Sequence, residues 1–130
     1  MRVDHKKLKK ALFDIALAAG TSEYEAEVLS ENVTDAELRG LSSHGVVRYP
    51  SYVERIELGL YATHVEPEIV KDSGGLLLID GKNAIGAPLA MFAMKLCVER
   101  AKKYGSCFAG VFHGNHFGMT ATYTKYAAAT

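Results

Sequence analysis

No charge of either sign dominates this sequence: 15 Lys and Arg side chains balance 15 Asp and Glu side chains. That balance argues against nucleic acid or an anionic membrane surface as the partner, because both select strongly basic proteins. Long hydrophobic runs are also missing, because no apolar stretch approaches the ~18 residues that a membrane-spanning helix needs. The first ten residues are charged and contain no apolar core of a signal peptide.

Cysteine is scarce as well. Cys97 and Cys107 are the two cysteines, and they do not have the CxxC spacing of a redox or zinc motif. This usage predicts reduced thiols in the cytoplasm rather than a disulfide framework. The remaining composition is ordinary for a globular protein, and 130 residues suffice for a domain with a substantial core.

The first forty residues have the periodicity of two helices. The first is predicted over 4–19, where apolar residues recur at helical spacing: Leu8, Leu12, Ile15 and Ala19. The second begins at Thr21 or Ser22, since Ser22 and Glu25 have the form of a capping box, and it extends to about Arg39. A short turn between them predicts an antiparallel helix pair.

The segment 39–52 contains several polar side chains that could take part in binding or proton transfer. His44, Arg48 and Tyr52 are spaced four apart, so in a regular helix they would form one stripe. Such a stripe combines an acid–base group, a planar cation and a phenol, which suits the binding of a small carboxylate during proton transfer; it is also compatible with a solvated helix face. No GxSxG motif accompanies Ser43, which argues against a serine hydrolase.

Pro50 complicates the stripe. It cannot donate to the carbonyl of Val46, and it is expected to hold Tyr49 outside the α region. Either the helix begins at Pro50, or a helix begun at Ser42 kinks there. From Tyr52 to about Gly59 the helical pattern is firmer.

The second half of the chain predicts a strand–helix–strand unit. A short strand is expected at 69–70, and the apolar run 76–79 predicts a strand buried on both faces. A long helix follows from Gly86 to Gly105, and 106–112 predicts a second buried strand. A helix between two strands implies a parallel pair with a right-handed crossover.

The segment 113–118, His-Gly-Asn-His-Phe-Gly, lies between that strand and a further helix. Ligands of α/β sheets collect at the carboxyl ends of parallel strands, and a helix start attracts anions such as phosphate. An ordinary glycine-rich turn is the alternative reading. His44, His113 and His116 do not have the spacing of a metal site, so no metal is predicted.

Three stretches together carry a family resemblance: DAELRGLSSHGVVRYPSYVERIELG, LLLIDGKNAIGAPLAMFAMKLCVERAKKYG and GNHFGMTATYTKYA. In this order they resemble the malate/L-lactate dehydrogenase-like oxidoreductases, which include ureidoglycolate, sulfolactate and Δ1-piperideine-2-carboxylate reductases. The resemblance covers about residues 8–130. It implies an α/β fold with a helical segment at 1–60 and the start of a β/α cofactor-binding region at 61–130. The implied sheet is mixed and of the L-sulfolactate dehydrogenase type, not a Rossmann domain.

The resemblance also implies roles for individual residues. His44 is expected to be the proton donor, Ser43 its relay partner, and Arg48 the carboxylate clamp with Tyr52 beside it. His116 is expected at the nicotinamide or the substrate, and in some members it has the acid–base role. The cofactor-contacting loop is expected to consist of His116, Phe117, Gly118, Met119 and Thr120.

The activity that the resemblance implies is hydride transfer between NAD or NADP and a small 2-hydroxy or 2-oxo acid such as malate or lactate, or a cyclic imino acid. A cytoplasmic homodimer is expected, without nucleic acid or membrane as a partner. Family members are well over twice as long, so the chain is expected to be an N-terminal portion. The alternative is a truncated, non-catalytic dimerisation or regulatory module.

Overall fold

The computed structural model of the protein describes residues 2–130, in two compact units, residues 2–64 and Val65–Thr130. The first unit is helical and the second contains a three-stranded mixed sheet. The mixed α/β fold that the resemblance implies is thereby confirmed. Within residues 2–130, no helix combines the length and the apolar character needed to span a bilayer.

The N-terminal unit has three helices: α1 is His5–Ala18, α2 is Glu23–Leu38 and α3 is Tyr49–Glu57. Side chains cap the first turns of α1 and α2, and the cap of α2 is the predicted one. The Asp4 side chain accepts a hydrogen bond from the backbone N–H of Lys7 at the start of α1. A complete capping box between Ser22 and Glu25 opens α2 and satisfies two N–H groups that the helix itself cannot.

The core of this unit is built mainly from the apolar faces of α1 and α2. Its buried side chains include Leu12, Ala16, Ala26, Leu29, Val33 and Ala36. Ion pairs tie the two helices on the surface, where the Lys9 ammonium lies 2.7 Å from Glu27 and 2.6 Å from Glu31. The antiparallel pair is therefore fixed on both its buried and its exposed sides.

The stripe of His44, Arg48 and Tyr52 predicted for the segment 39–52 is not found. Two short 3₁₀ turns, Ser42–His44 and Val46–Arg48, precede α3, so His44, Arg48 and Tyr52 do not share one regular helix. Tyr49, expected outside the α region, has φ −60° and ψ −42°. Its buried hydroxyl donates to the backbone carbonyl of Leu12, and this tertiary contact outweighs the local preference before proline.

The C-terminal unit contains the strands and two helices in this order: β1 Glu68–Asp72, β2 Leu76–Ala84, α4 Gly86–Tyr104, β3 Phe108–Gly114 and α5 Ala121–Ala128. β2 lies in the middle of the sheet, antiparallel to β1 and parallel to β3. The predicted parallel pair is thus confirmed, with α4 as its crossover. β3 also extends two residues beyond the prediction and includes His113 and Gly114.

The burial of these strands differs from the prediction. Along β2 the exposure alternates: Leu77 and Ile79 are buried, whereas Leu76 and Leu78 are 47% and 39% exposed. β3, expected to be buried, is mostly exposed. α4 covers one face of the sheet, where Leu89 and Ala93 pack with the buried residues of β2. Within the described unit, the apolar residues of the other face remain accessible.

Candidate functional site

In the N-terminal unit, the first 3₁₀ turn brings Ser43 and His44 together. The Ser43 hydroxyl oxygen lies 3.0 Å from Nδ1 of His44, and the imidazole is half-buried. A hydroxyl both donates and accepts hydrogen bonds. The Ser43 contact can therefore persist whether Nδ1 carries a proton or not, which suits a histidine that changes protonation state.

Glu37, at the end of α2, holds the turn that carries His44. Its Oε1 accepts a hydrogen bond of 2.7 Å from the backbone N–H of Val46. Gly45 makes this approach possible, since a Cβ atom there would lie 2.1 Å from the same oxygen. The sequence prediction missed Glu37, because a contact across nine residues belongs to no local motif. The glycine directly after His44 was the available signal.

We expect Glu37→Ala to loosen this turn, because the Val46 N–H loses its charged acceptor. The loss is about 1 kcal/mol of unfolding free energy, with a selective increase in hydrogen exchange at the Val46 amide. Glu37→Gln keeps an acceptor oxygen and should lie between wild type and Glu37→Ala. Glu54→Ala, on the exposed side of α3, is the matched control. An unchanged Val46 exchange rate in Glu37→Ala would show that the contact does not hold the turn.

Arg48 and Tyr52 also lie together, across the start of α3. Tyr52 is buried, and burial raises the pKa of its phenol to about 12. The charge of the Arg48 guanidinium and its hydrogen bond to the phenol oppose this rise. The phenol thus stays protonated well above neutral pH, and its oxygen accepts the hydrogen bond from the exposed Arg48.

In the C-terminal unit, the loop between β3 and α5 holds His116 in a defined orientation. The backbone N–H of Gly118 donates to Nδ1 of His116 over 3.1 Å. With Nδ1 acting as the acceptor, the proton of the neutral ring is on Nε2. His116 is therefore arranged to present an N–H donor through Nε2.

The other loop residues separate into two groups. Phe117 and Thr120 line a cavity of about 480 Å³ between α4, β3 and α5. Gly118 and Met119 are buried. The Tyr123 hydroxyl donates to the backbone carbonyl of Phe117 and joins the loop to α5.

A contact between His113 and Asp80, at the end of β3, lies at the rim of this cavity. Nδ1 of His113 is 3.0 Å from Oδ1 of Asp80. The pKa of the Asp80 carboxyl is lowered from its ordinary value, first by the hydrogen bond from the Lys82 backbone N–H and further by His113. The geometry thus gives His113 a carboxylate partner. Among residues 2–130, no group of three His, Cys, Asp or Glu side chains is arranged to hold a metal.

Cys97 lies on the cavity wall next to Cys107, and both are free thiols. Burial, with the neighbouring Cys107, raises the pKa of Cys97 to about 11 from an ordinary value of 9.0. At pH 8 we expect iodoacetamide to modify native Cys97 roughly 100-fold more slowly than the urea-unfolded chain, because less thiolate is present. Peptide mass spectrometry measures both rates, and equal rates would contradict the shift.

The same shift sets a pH dependence of stability. Because its pKa is raised in the folded state, the folded protein favours the protonated thiol of Cys97. Its contribution to the free energy of unfolding is therefore complete below about pH 9 and is lost as the pH rises towards about 11. Urea denaturation between pH 9 and 10 should show the start of the decline, and Cys97→Ser should reduce it there. Above about pH 10 the buried phenols of Tyr49 and Tyr52, whose pKa values are raised to about 12, add a decline of their own.

With the geometry described, known proteins can be compared. A family model described as malate/L-lactate dehydrogenase matches residues 3–130. The chain belongs to the malate/L-lactate dehydrogenase family. The resemblance predicted from the sequence motifs is thereby confirmed. None of these matches tests the roles predicted for individual residues.

Relatives of this chain in the malate/L-lactate dehydrogenase family are named after different substrates. The chain is 35% identical over 127 residues to malate/(S)-sulfolactate dehydrogenase of Methanothermus fervidus, covering 98% of this chain and 38% of that protein. It is 29% identical to the Δ1-pyrroline-2-carboxylate/Δ1-piperideine-2-carboxylate reductase of Pseudomonas putida, covering 90% of this chain and 34% of the reductase.

Solved structures of the family agree with the fold. Malate dehydrogenase from Pyrococcus horikoshii superimposes with a TM-score of 0.97 at 29% identity, over 99% of this chain and 37% of that one. Sulfolactate dehydrogenase from Methanocaldococcus jannaschii gives a TM-score of 0.93 at 30% identity, over 97% and 37%. The chain thus spans a little over a third of the length of the relatives it matches.

Proposed function

We propose that this chain supplies the proton-transfer and carboxylate-binding groups of a nicotinamide-dependent oxidoreductase acting on a small 2-hydroxy or 2-oxo acid, or on a cyclic imino acid. The observation that carries the proposal is the turn with its hydrogen-bonded Ser43 and His44, held by Glu37. The names of the relatives support the substrate class, since they include malate, sulfolactate and cyclic imino acids.

His44 is the proton donor in this proposal. An imidazole changes charge near neutral pH, which is the property that a general acid–base group needs. During reduction, protonated His44 transfers its proton to the oxygen or nitrogen of the substrate as negative charge develops there. In the reverse direction the neutral ring removes that proton. The Ser43 hydroxyl stays hydrogen-bonded to Nδ1 in both states and orients the ring.

Arg48 binds the substrate carboxylate. Its guanidinium offers two parallel N–H donors to the two carboxylate oxygens, a geometry that an ammonium lacks. The Tyr52 phenol, protonated because its pKa is about 12, holds one side of this cation in place. Substrate binding is thereby converted into orientation of the carbon that reacts.

His116 has a different role from His44 in this proposal. Its Nδ1 is engaged as an acceptor by the Gly118 N–H, so protonation at that nitrogen would break the hydrogen bond. The neutral ring instead donates through Nε2 to substrate or cofactor. This difference in hydrogen bonding favours His44 as the main acid–base residue.

The residues of the C-terminal unit fit a nicotinamide cofactor, NAD or NADP. The cavity of about 480 Å³ has the size of a small-molecule site and is lined by aromatic and small apolar side chains, among them Phe112 and Phe117, which suit a planar ring. Phe117 and Thr120 would hold the group there. When bound, the reduced nicotinamide supplies the hydride for C2 of the substrate.

A nicotinamide-absorbance assay tests the proposal. The protein, expressed from its complete reading frame, is assayed with NADH and NADPH against pyruvate, oxaloacetate, sulfopyruvate and cyclic imines. We expect cofactor oxidation with at least one of these carboxylates. Absence of turnover with every substrate, in a protein shown to be folded and to bind NADH, would overturn the assignment.

A further inference from the structure

Asn115 lies beside His116 at the centre of a hydrogen-bond cluster. Its side-chain nitrogen is 2.9 Å from the backbone oxygen of Asn83, 3.0 Å from Oδ1 of Asn83 and 3.0 Å from the backbone oxygen of Ala84. An amide nitrogen has two protons to donate. Both are therefore directed at the end of β2, and this amide nitrogen is not available to a ligand.

The end of β2 that receives Asn115 has an unusual backbone. Lys82 and Asn83 have φ values of 48° and 62°, and His113, opposite them on β3, has φ 50°. Left-handed conformations of residues other than glycine cost free energy and persist where the surroundings enforce them. At this point the pairing of β2 with β3 is also irregular, between Asp80 and Ala84. The distortion brings the carbonyls of Asn83 and Ala84 towards the loop.

A second contact, with the first residue of α4, restrains the same loop. Gly86 is the first residue of α4, and a Cβ atom there would lie 2.2 Å from the backbone oxygen of Asn115 and 2.3 Å from that of His116. These are backbone atoms, so a side chain at position 86 would displace the loop itself. The loop is thus held by the Asn115 amide on one side and by direct contact with Gly86 on the other.

We infer that Asn115 is a positioning residue that acts through His116. By fixing the backbone at 115, it places the imidazole so that Nδ1 receives the Gly118 N–H and Nε2 remains the donating nitrogen. Without this restraint the loop samples other conformations, and the orientation of the ring is lost. The inference deepens the proposed function and rests on it for the role of His116 in turnover.

Amide hydrogen exchange of the Gly118 N–H tests the inference independently of activity. In Asn115→Ala we expect the exchange of this amide to accelerate at least tenfold and kcat to fall roughly 10–100-fold, because a misplaced imidazole lowers the rate of the chemical step. Cofactor affinity should weaken as well, since Phe117 and Thr120 belong to the same loop. Asn83→Gly, which keeps a left-handed backbone and both carbonyl acceptors, should accelerate exchange less than threefold. Nitrogen NMR of labelled histidine reports whether Nδ1 of His116 remains unprotonated.

Asn32→Ala is the matched control, since Asn32 is buried in α2 of the other unit. It should lower global stability without a selective change at Gly118. If Asn115→Ala leaves Gly118 exchange and the His116 nitrogen signals unchanged, the inference is wrong, whatever happens to activity. If exchange responds but the wild-type protein turns over no substrate, the positioning stands and the proposed function fails. Should Asn115→Ala not fold, Asn115→Ser, which retains one donor, replaces it in the same measurements.

Discussion

Replacement of His44 by alanine is expected to lower kcat by about 10²–10⁴-fold, the usual contribution of a positioned acid–base group. The proton that neutralises the developing charge on the substrate would then have to come from water. The affinity for the nicotinamide cofactor should change little, because the proposed cofactor contacts lie in the C-terminal unit. Steady-state kinetics and a titration of NADH fluorescence measure the two effects on the same preparation.

His5→Ala is the matched control for His44→Ala, because His5 is an exposed histidine at the start of α1. It should leave both kinetics and cofactor affinity near wild type. A His44→Ala protein that keeps its kcat would remove this residue from the chemistry. One that loses NADH binding would instead give His44 a structural or nucleotide-binding role.

Replacement of Arg48 by lysine is expected to raise the KM for the carboxylate substrate at least tenfold, equivalent to about 1.4 kcal/mol of binding free energy. Lysine keeps the charge but presents it as a compact ammonium, which cannot form the paired hydrogen bonds of a guanidinium. Arg48→Ala should have a larger effect, since the charge is lost as well. Rates over a range of substrate concentrations, with cofactor at saturation, give the KM of each variant. The difference between Arg48→Lys and Arg48→Ala then separates the loss of hydrogen-bond geometry from the loss of charge.

Arg55→Lys is the corresponding control on α3. The Arg55 guanidinium lies 5.7 Å from the ring centre of Tyr61, so this exchange changes an arginine that has an aromatic partner of its own. Its KM should stay within twofold of wild type. Equal KM values for Arg48→Lys and wild type would show that the carboxylate is bound elsewhere.

Features set by neighbouring residues could be predicted from the sequence. The capping box of Ser22 and Glu25 is specified within four residues, and it begins α2 as expected. The long helix predicted from Gly86 to Gly105 is α4, which ends at Tyr104 with Gly105 as its C-cap. The parallel pairing of β2 and β3 followed from the alternation of strand, helix and strand. In these cases, local preference and the final fold agree.

Features set by distant contacts could not be predicted in this way. The turn that carries His44 depends on Glu37, and the helical backbone of Tyr49 depends on a carbonyl of α1. Apolar composition predicted a buried β3, but composition does not specify which residues of the chain cover a strand. The cluster around Asn115 joins residues some thirty positions apart through the irregular end of β2.

The attachment of the His44 turn has a consequence for how this protein can change over evolution. The segment is fastened at one end by the backbone of Val46 and at the other by the hydroxyl of Tyr49, and neither attachment uses the side chains of Ser43, His44 or Arg48. Under the proposed function, substitutions at those three positions would alter the chemistry while the framework around them stays folded. We therefore expect replacements at these positions to change activity while costing little stability, so that activity and stability can be selected separately in this segment.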